Sequence, residues 1–266
     1  MIDIHPSAIV DPNAELDDDV VIGPYCIVGA HVRIGSGTKL MSHVVIDGYT
    51  TMGKRNLVYP FAALGLLAQH KRSNAPDAVL NIGDDNTFRE HVTAHVGSEV
   101  DHKITTIGNR NLFLVASHIA HDCVLGDDIV MSNNATLAGH VHVGNGAIIG
   151  GLAAVLQFTH IGEGAMIGGM AGIARDVIPY GLVMGGGRSS LSGLNLIGLQ
   201  RAGVPKEDIM TLQKAYKVLF NREDNRLFAE RLTDLEQQEE FKQNSLVQRV
   251  VEFVKHPSKN NIMQPE

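Results

Sequence analysis

An apolar residue returns at every sixth position along most of the first two-thirds of the chain. The series runs Ile4, Val10, Leu16, Ile22, Val28, Ile34, Leu40, Ile46, Met52, Val58 and Leu64, and resumes in phase at Ile82 and Phe88. It resumes again, one residue out of phase, at Ile107 and continues through Phe113, Ile119, Leu125, Met131, Leu137, Val143, Ile149, Val155, Ile161, Ile167 and Ile173. Two positions earlier most hexads carry a smaller residue, such as Ala8, Cys26, Thr38, Ala62, Cys123 and Ala147, and Gly often follows the apolar position. A period of six matches neither an α-helix nor a heptad. Residues i and i−2 of a strand share a face, so each hexad predicts a short strand with two inward side chains and then a corner. Repetition of that unit predicts a parallel β-helix, a prism with three faces and eighteen residues per coil. A β-sandwich would need turns of irregular length, which do not hold such a register.

Two stretches interrupt the series, roughly 65–79 with Gln69-His70-Lys71-Arg72 and roughly 95–106 with His95 and His102. In so regular a solenoid such insertions map to loops on a binding face. The repeat ends near Pro179, a Gly-rich link follows at Gly185-Gly186-Gly187, and a helical pattern is expected from about Leu191. Ile209, Leu212, Tyr216, Leu219 and Phe220 form one apolar stripe; Leu227, Leu232 and Leu235 form a second, with Asn225 as its cap; Leu246, Val250, Val251 and Val254 form a third. The residues after about Pro257 read as frayed. The expected domains are therefore 1–190 as the solenoid and 191–266 as a C-terminal α-helical domain.

Composition supports this picture. Aromatic residues make up 5% of the chain and Trp is absent, as thin aliphatic layers require. The net charge of −7 gives no reason to expect nucleic acid as a partner. Two cysteines do not make a disulfide framework, the N-terminus does not read as a signal peptide, and the most apolar stretch is too short to span a bilayer. A cytoplasmic location without stable membrane insertion is expected.

Many of the thirteen histidines lie in the middle coils. Eighteen residues separate His121 from Gly139 and Asp122 from His140, so each pair should lie stacked on adjacent coils. An imidazole beside a carboxylate is held in one tautomer and accepts a proton near neutral pH. A Gly backbone N–H next to it can receive an oxyanion. These elements suit acyl transfer. Cys123, at a small inward position, reads as core. Four histidines (His118, His121, His140 and His142) leave open a zinc site like that of trimeric γ-class carbonic anhydrases, and a non-catalytic sugar-nucleotide binder is the third reading.

The string His118-Ile119-Ala120-His121-Asp122-Cys123, followed by Asn133-Asn134-Ala135-Thr136-Leu137-Ala138-Gly139-His140, resembles the UDP-N-acetylglucosamine O-acyltransferases that begin lipid A synthesis. The resemblance covers the repeats, both insertions and the tail. It implies left-handed coils, a homotrimer, acyl carrier protein as the 3-hydroxyacyl donor, a UDP-sugar acceptor, and neither cofactor nor metal. It makes His121 the general base, Asp122 its orienting group and Gly139 the oxyanion donor. His118, His140, Gln69, Arg72 and Gln157 fall on substrate-contacting positions, and Asn195 and Arg201 on the nucleotide pocket. Met166, Gly169 and Arg188 fall along the acyl chain, where Gly169 marks the position that limits chain length. Departures from the family pattern occur at His70, Arg72, Leu156, Ile197 and Ala202, all on the sugar-nucleotide side, which keeps a 3-amino sugar open as acceptor.

Overall fold

The computed structural model describes residues 1–266 apart from Arg72, Asn74, Val100, Asp101, Gly187, Arg188 and Pro257. Short strands, most of two residues, stack into three sheets that form the faces of a prism. The first face has eleven strands, from Asp3–Ile4 to Leu191–Leu194; the second has nine, from Ile9–Val10 to Gly172–Ile173; the third has eight, from Glu15–Leu16 to His160–Ile161. Pairing is parallel throughout except where Leu191–Leu194 returns antiparallel to Gly181–Val183.

Adjacent coils are eighteen residues apart, as where Asp3 pairs with Val21 and Val124 with His142. Two coils are longer. Leu57 pairs with Thr87, thirty residues on, and Thr87 pairs with Leu112, twenty-five residues on. The insertions are thus twelve and seven residues long. Twelve is a multiple of six and preserves the phase of the apolar series; seven is not, which explains the one-residue slip at Ile107. The first insertion lies between Ala63–Leu66 and Val79–Ile82, and the second between Thr93–His95 and Ile104–Ile107.

Both inward positions of each hexad are buried through the middle coils, as with Cys26 and Val28, Ala62 and Leu64, or Ala135 and Leu137. The bulkiest layer is the pair Phe88 and Phe113, with ring centroids 5.0 Å apart. At the N-terminal end the pattern is met but the burial is not. Ile4 is 42% exposed because the first coil has a neighbour on one side only.

Where the small inward position is polar, a ladder satisfies it. Thr38, Asn56, Asn86 and Asn111 lie one above another, all fully buried or nearly so. The Asn56 side-chain carbonyl accepts from Asn86 N, that of Asn86 from Asn111 N, and that of Asn111 from Ile129 N. Their amide groups donate to Gly83 O, Gly108 O and Gly126 O. The side chains thus join one coil to the next inside the prism, parallel to the strand ladders.

Most corners contain one residue with positive φ, and many of these are not glycine. Tyr25, His43, Phe61, His91, Ala116, Asn134, Leu152 and Met170 occupy this position on one edge. The left-handed conformation costs such residues about 1 kcal/mol each, and a bond from most of these N–H groups to the coil below holds them there, as from His43 N to Pro24 O.

The tail departs from expectation in three places. Leu191–Leu194 is a strand, since Gly193 has φ of 134° and its neighbours complete the first face. Helices then follow: α1 (Leu196–Arg201), α2 (Lys206–Leu219), α3 (Phe228–Gln237), α4 (Glu239–Lys242) and α5 (Ser245–Lys255). The cap of α3 is Leu227, not Asn225, because the Glu230 carboxylate turns back to accept Leu227 N at 2.7 Å. The last residues are not frayed beyond Pro257. Asp176 N donates to Asn261 O, Met263 N donates to Asp176 O, and Met263 is buried. This strap lies along the last coil. Pro257 itself lies outside the described residues.

Asn86→Ala would leave the Asn111 N–H and the Gly108 carbonyl unpaired in the interior. A loss of about 3 kcal/mol is expected, to be read from denaturant unfolding monitored by circular dichroism.

Candidate active site

His121 and Asp122 form a corner between the second and third faces, with Asp122 at a φ of 58°. That backbone turns the carboxylate back against its own neighbour. His121 Nδ1 lies 2.8 Å from Asp122 Oδ2. A carboxylate only accepts, so Nδ1 carries the proton and Nε2 keeps its lone pair. The Asp122 side chain is completely buried, and that of His121 keeps 10% of its surface open. Two further donors hold the carboxylate: Ser98 N at 3.0 and 3.1 Å and Ser98 Oγ at 2.6 Å. Thr105 Oγ1 accepts Asp122 N at 2.8 Å. Burial by itself pushes the Asp122 carboxyl up. The hydrogen bonds from His121 and Ser98, with the nearby His140, outweigh it and bring the group below its usual range.

The next coil supplies Gly139 and His140, and the eighteen-residue count places them as expected. His140 Nε2 is 3.9 Å from Asp122 Oδ2, and its ring meets that of His121 edge-on at 5.1 Å. A Cβ on Gly139 would fall 2.5 Å from His121 Cε1, so only glycine lets the chain pass this close to the ring. Among the described residues the Gly139 N–H has no backbone acceptor. His118 is hydrogen-bonded through Nδ1 to Thr93 Oγ1 at 2.7 Å, and burial, with His95 and His121 beside it, pushes its pKa down to about 4. His95 Nδ1–H donates to Leu67 O at 2.7 Å, tying the start of the first insertion to the site. From that insertion His70 reaches the His121 ring at 5.6 Å. Cys123 is buried, and burial pushes its thiol up to about 12, which removes it as a nucleophile.

The expected site residues divide among the edges of the prism. His118, His121, Asp122, Gly139 and His140 gather at the edge between the second and third faces, and Gln157 stands one coil above Gly139, exposed. Gln69 is exposed on the first insertion. Asn195 lies at another edge, where its side chain accepts Gly198 N and donates to Gly164 O, both at 3.0 Å, as the cap of α1. Arg201 is exposed in the last turn of the same helix. Met166 is on the first face, and Gly169 is at the edge between the first and second faces. One chain does not bring these groups together. Arg72 and Arg188 lie outside the described residues. Ser98, Thr93 and Thr105 were not anticipated. Ser98 sits in the seven-residue insertion, which has no register from which to place it.

His121, Asp122 and His140 also bring three ligand atoms within 4.8 Å of one another. A metal there would have to replace the Nδ1–H of His121 on a carboxylate that already takes Ser98. The donor set fits a proton relay better than a zinc site.

Such a corner on a hexapeptide prism defines the class, a left-handed β-helix acyltransferase. A family model for bacterial transferase hexapeptides matches residues 2–36, and one for domain 2 of UDP-N-acetylglucosamine O-acyltransferase matches residues 176–263. A relative from Caulobacter vibrioides, named acyl-acyl-carrier-protein–UDP-N-acetylglucosamine O-acyltransferase, is 44% identical over 99% of this chain and 98% of its own length. One of the same name from Thermodesulfovibrio yellowstonii is 47% identical over 83% of this chain and 85% of its own. The solved LpxA from Acinetobacter baumannii superposes with a TM-score of 0.92 at 38% identity, covering 98% of this chain and 99% of that one. The UDP-N-acetylglucosamine acyltransferase of Francisella novicida gives 0.93 at 32%, covering 99% and 94%. The chain belongs to the UDP-N-acetylglucosamine O-acyltransferase family.

The state of His118 predicts an acid sensitivity. Its folded pKa of about 4 lies below its ordinary 6.5, so between these values the unfolded chain binds more protons. Stability from this group is complete above about pH 6.5 and is lost as pH falls toward 4. Thermal melts across that window should fall more steeply for the parent than for His118→Asn.

Proposed function

We propose that this chain transfers a 3-hydroxyacyl group from acyl carrier protein to the 3-hydroxyl of UDP-N-acetylglucosamine, the first step of lipid A synthesis. The observation that carries the mechanism is the buried His121–Asp122 pair with the Gly139 backbone against its ring. His121 Nε2 takes the sugar hydroxyl proton as that oxygen attacks the thioester carbonyl. Asp122 fixes the tautomer and stabilises the imidazolium that forms, while Ser98 keeps the carboxylate in place. The Gly139 N–H receives the developing oxyanion. When the tetrahedral intermediate collapses, the proton passes from His121 to the departing thiolate of the carrier. No cofactor takes part. The carbonic-anhydrase reading is set aside, since relatives 44–48% identical carry the acyltransferase name.

The reading includes a homotrimer. Three groups of substrate residues sit on different edges of one prism, and a neighbour packed alongside would bring edge to edge. Leu152, Leu156 and Met170, each more than half exposed, flank the second face as a subunit contact would require. We take 1–190 and 191–266 as its two domains, the last strand of the first face serving as the join. Among the described residues no helix is long and apolar enough to cross a membrane. A cytoplasmic setting suits the buried free thiols of Cys26 and Cys123.

His121→Ala should reduce turnover by about 10²–10⁴-fold with an unchanged circular dichroism spectrum. Near-normal turnover would remove His121 from the mechanism. Product mass and alkaline lability distinguish ester from amide, and hence a hydroxyl acceptor from a 3-amino sugar. Sedimentation should give about three times 28.7 kDa; a fully active monomer would overturn the assembly.

Gly169 supplies a second test. A Cβ there would meet Gly151 O at 3.2 Å, a contact that a small shift relieves, and its φ is not in the left-handed region. Gly169→Met should therefore fold and shift donor preference to shorter chains, each lost buried methylene weighing about 0.8 kcal/mol. Competition among donors of different length, read by product mass, checks this.

A further inference from the structure

The edge that carries His121 continues toward the C-terminal coils and ends on the strap. Phe158 is one coil above His140, and the two rings stack at 4.4 Å with 15° between their planes. Over the other face of Phe158, 3.6 Å from its centroid, lies the ammonium of Lys259. The next residue fastens the strap here: Asn260 Nδ2 donates to Gln157 O at 3.3 Å and to Thr159 Oγ1 at 3.2 Å. Among the described residues Lys259 has no carboxylate partner. Arg175, exposed, stands one coil above Gln157 on the same edge.

We propose that Lys259, held by the strap over Phe158, binds the diphosphate of the sugar-nucleotide acceptor, with Arg175 as a second cation at the same edge. The proposal rests on the acceptor named above. Its argument is one of reach. Phe158 is two coils from Asp122, about 10 Å along the edge. In a nucleoside diphosphate sugar five bonds separate the 3-hydroxyl oxygen from the nearer phosphorus, roughly 6 Å, and the second phosphorus is two bonds further. A hydroxyl in hydrogen-bond contact with His121 therefore carries its phosphates to the neighbourhood of the ammonium. The phosphate of a phosphopantetheine arm is fourteen bonds from the thioester carbonyl carbon, roughly 17 Å when extended, and overshoots it. The aromatic face also keeps the cation in place without neutralising it, so its charge remains available to the anion.

Steady-state kinetics with both substrates, and calorimetric titration with UDP alone, test the assignment on the full-length protein and its Lys259→Ala and Lys259→Arg variants. Lys259→Ala should raise the acceptor KM and weaken UDP binding roughly tenfold, with the donor KM unchanged. Lys259→Arg should recover most of both. Higher salt should narrow the difference between parent and Lys259→Ala. Acceptor KM and UDP affinity within twofold of the parent would overturn the proposal. A rise in donor KM alone would also overturn it and move the phosphate to the phosphopantetheine arm. Equal losses in both variants, with a lowered melting temperature, would reduce Lys259 to a fastening of the strap. Failure of the acyltransferase reading is distinguishable: a parent that binds UDP through Lys259 yet acylates no UDP-N-acetylglucosamine would retain this site and lose that reaction.

Discussion

The backbone ladder between coils is the constraint on which everything else here depends. Most strands are two residues long and would be worthless alone; they exist because the coils before and after, in most cases eighteen residues away, supply their hydrogen-bond partners. Side chains at equal positions then fall in columns. The Val, Leu, Ile and Phe columns make a core without a single Trp, and the Asn56–Asn86–Asn111 column makes a polar one whose members satisfy each other. Chemistry obeys the same geometry. Gly139 lies against His121, and His140 beside Asp122, because they are one coil apart.

The active corner is where this regularity is broken on purpose. Polar residues occupy a buried turn, one of them in the left-handed region, and two insertions converge on it. The seven-residue insertion delivers Ser98 to the carboxylate; the twelve-residue one is tied by Leu67 to His95 and brings His70 to the His121 ring. A rigid prism therefore sets the distance between the His121 ring and the Gly139 backbone, while loops from the same coils close the electrostatics around it. The pull of His121 and Ser98 on Asp122 exceeds the effect of burial, so the carboxyl lies below its usual range.

How legible all this was in the sequence depended on whether a residue had a register. His121, Asp122, Gly139 and His140 did, and counting by eighteen placed them before any coordinates. The first insertion was readable as whole hexads, since the phase returned after it, and the one-residue slip showed at Ile107; the lengths themselves came from the strand pairing. Ser98 had no register, and its role was invisible. In the tail, Gly193 and the Glu230 turn overrode a helical pattern and an expected Asn225 cap. The strap looked like a frayed end because isolated polar residues such as Asn260 and Asn261 carry no periodicity. Their partners, Gln157 O, Thr159 and Asp176, are 85 to 103 residues away.

That strap also has a bearing on how the chain is made. A coil needs only the one before it, so coils can be added in order while the chain is still emerging. Asp176 and the last face are different: their partners at Asn261 to Met263 are synthesised after all five helices. Until then the final strands present unpaired backbone groups, the kind of edge on which a second chain can template. The helices are synthesised in the interval between exposure of that edge and its closure. A ribosome that stalls there leaves an almost complete solenoid with its growing end open.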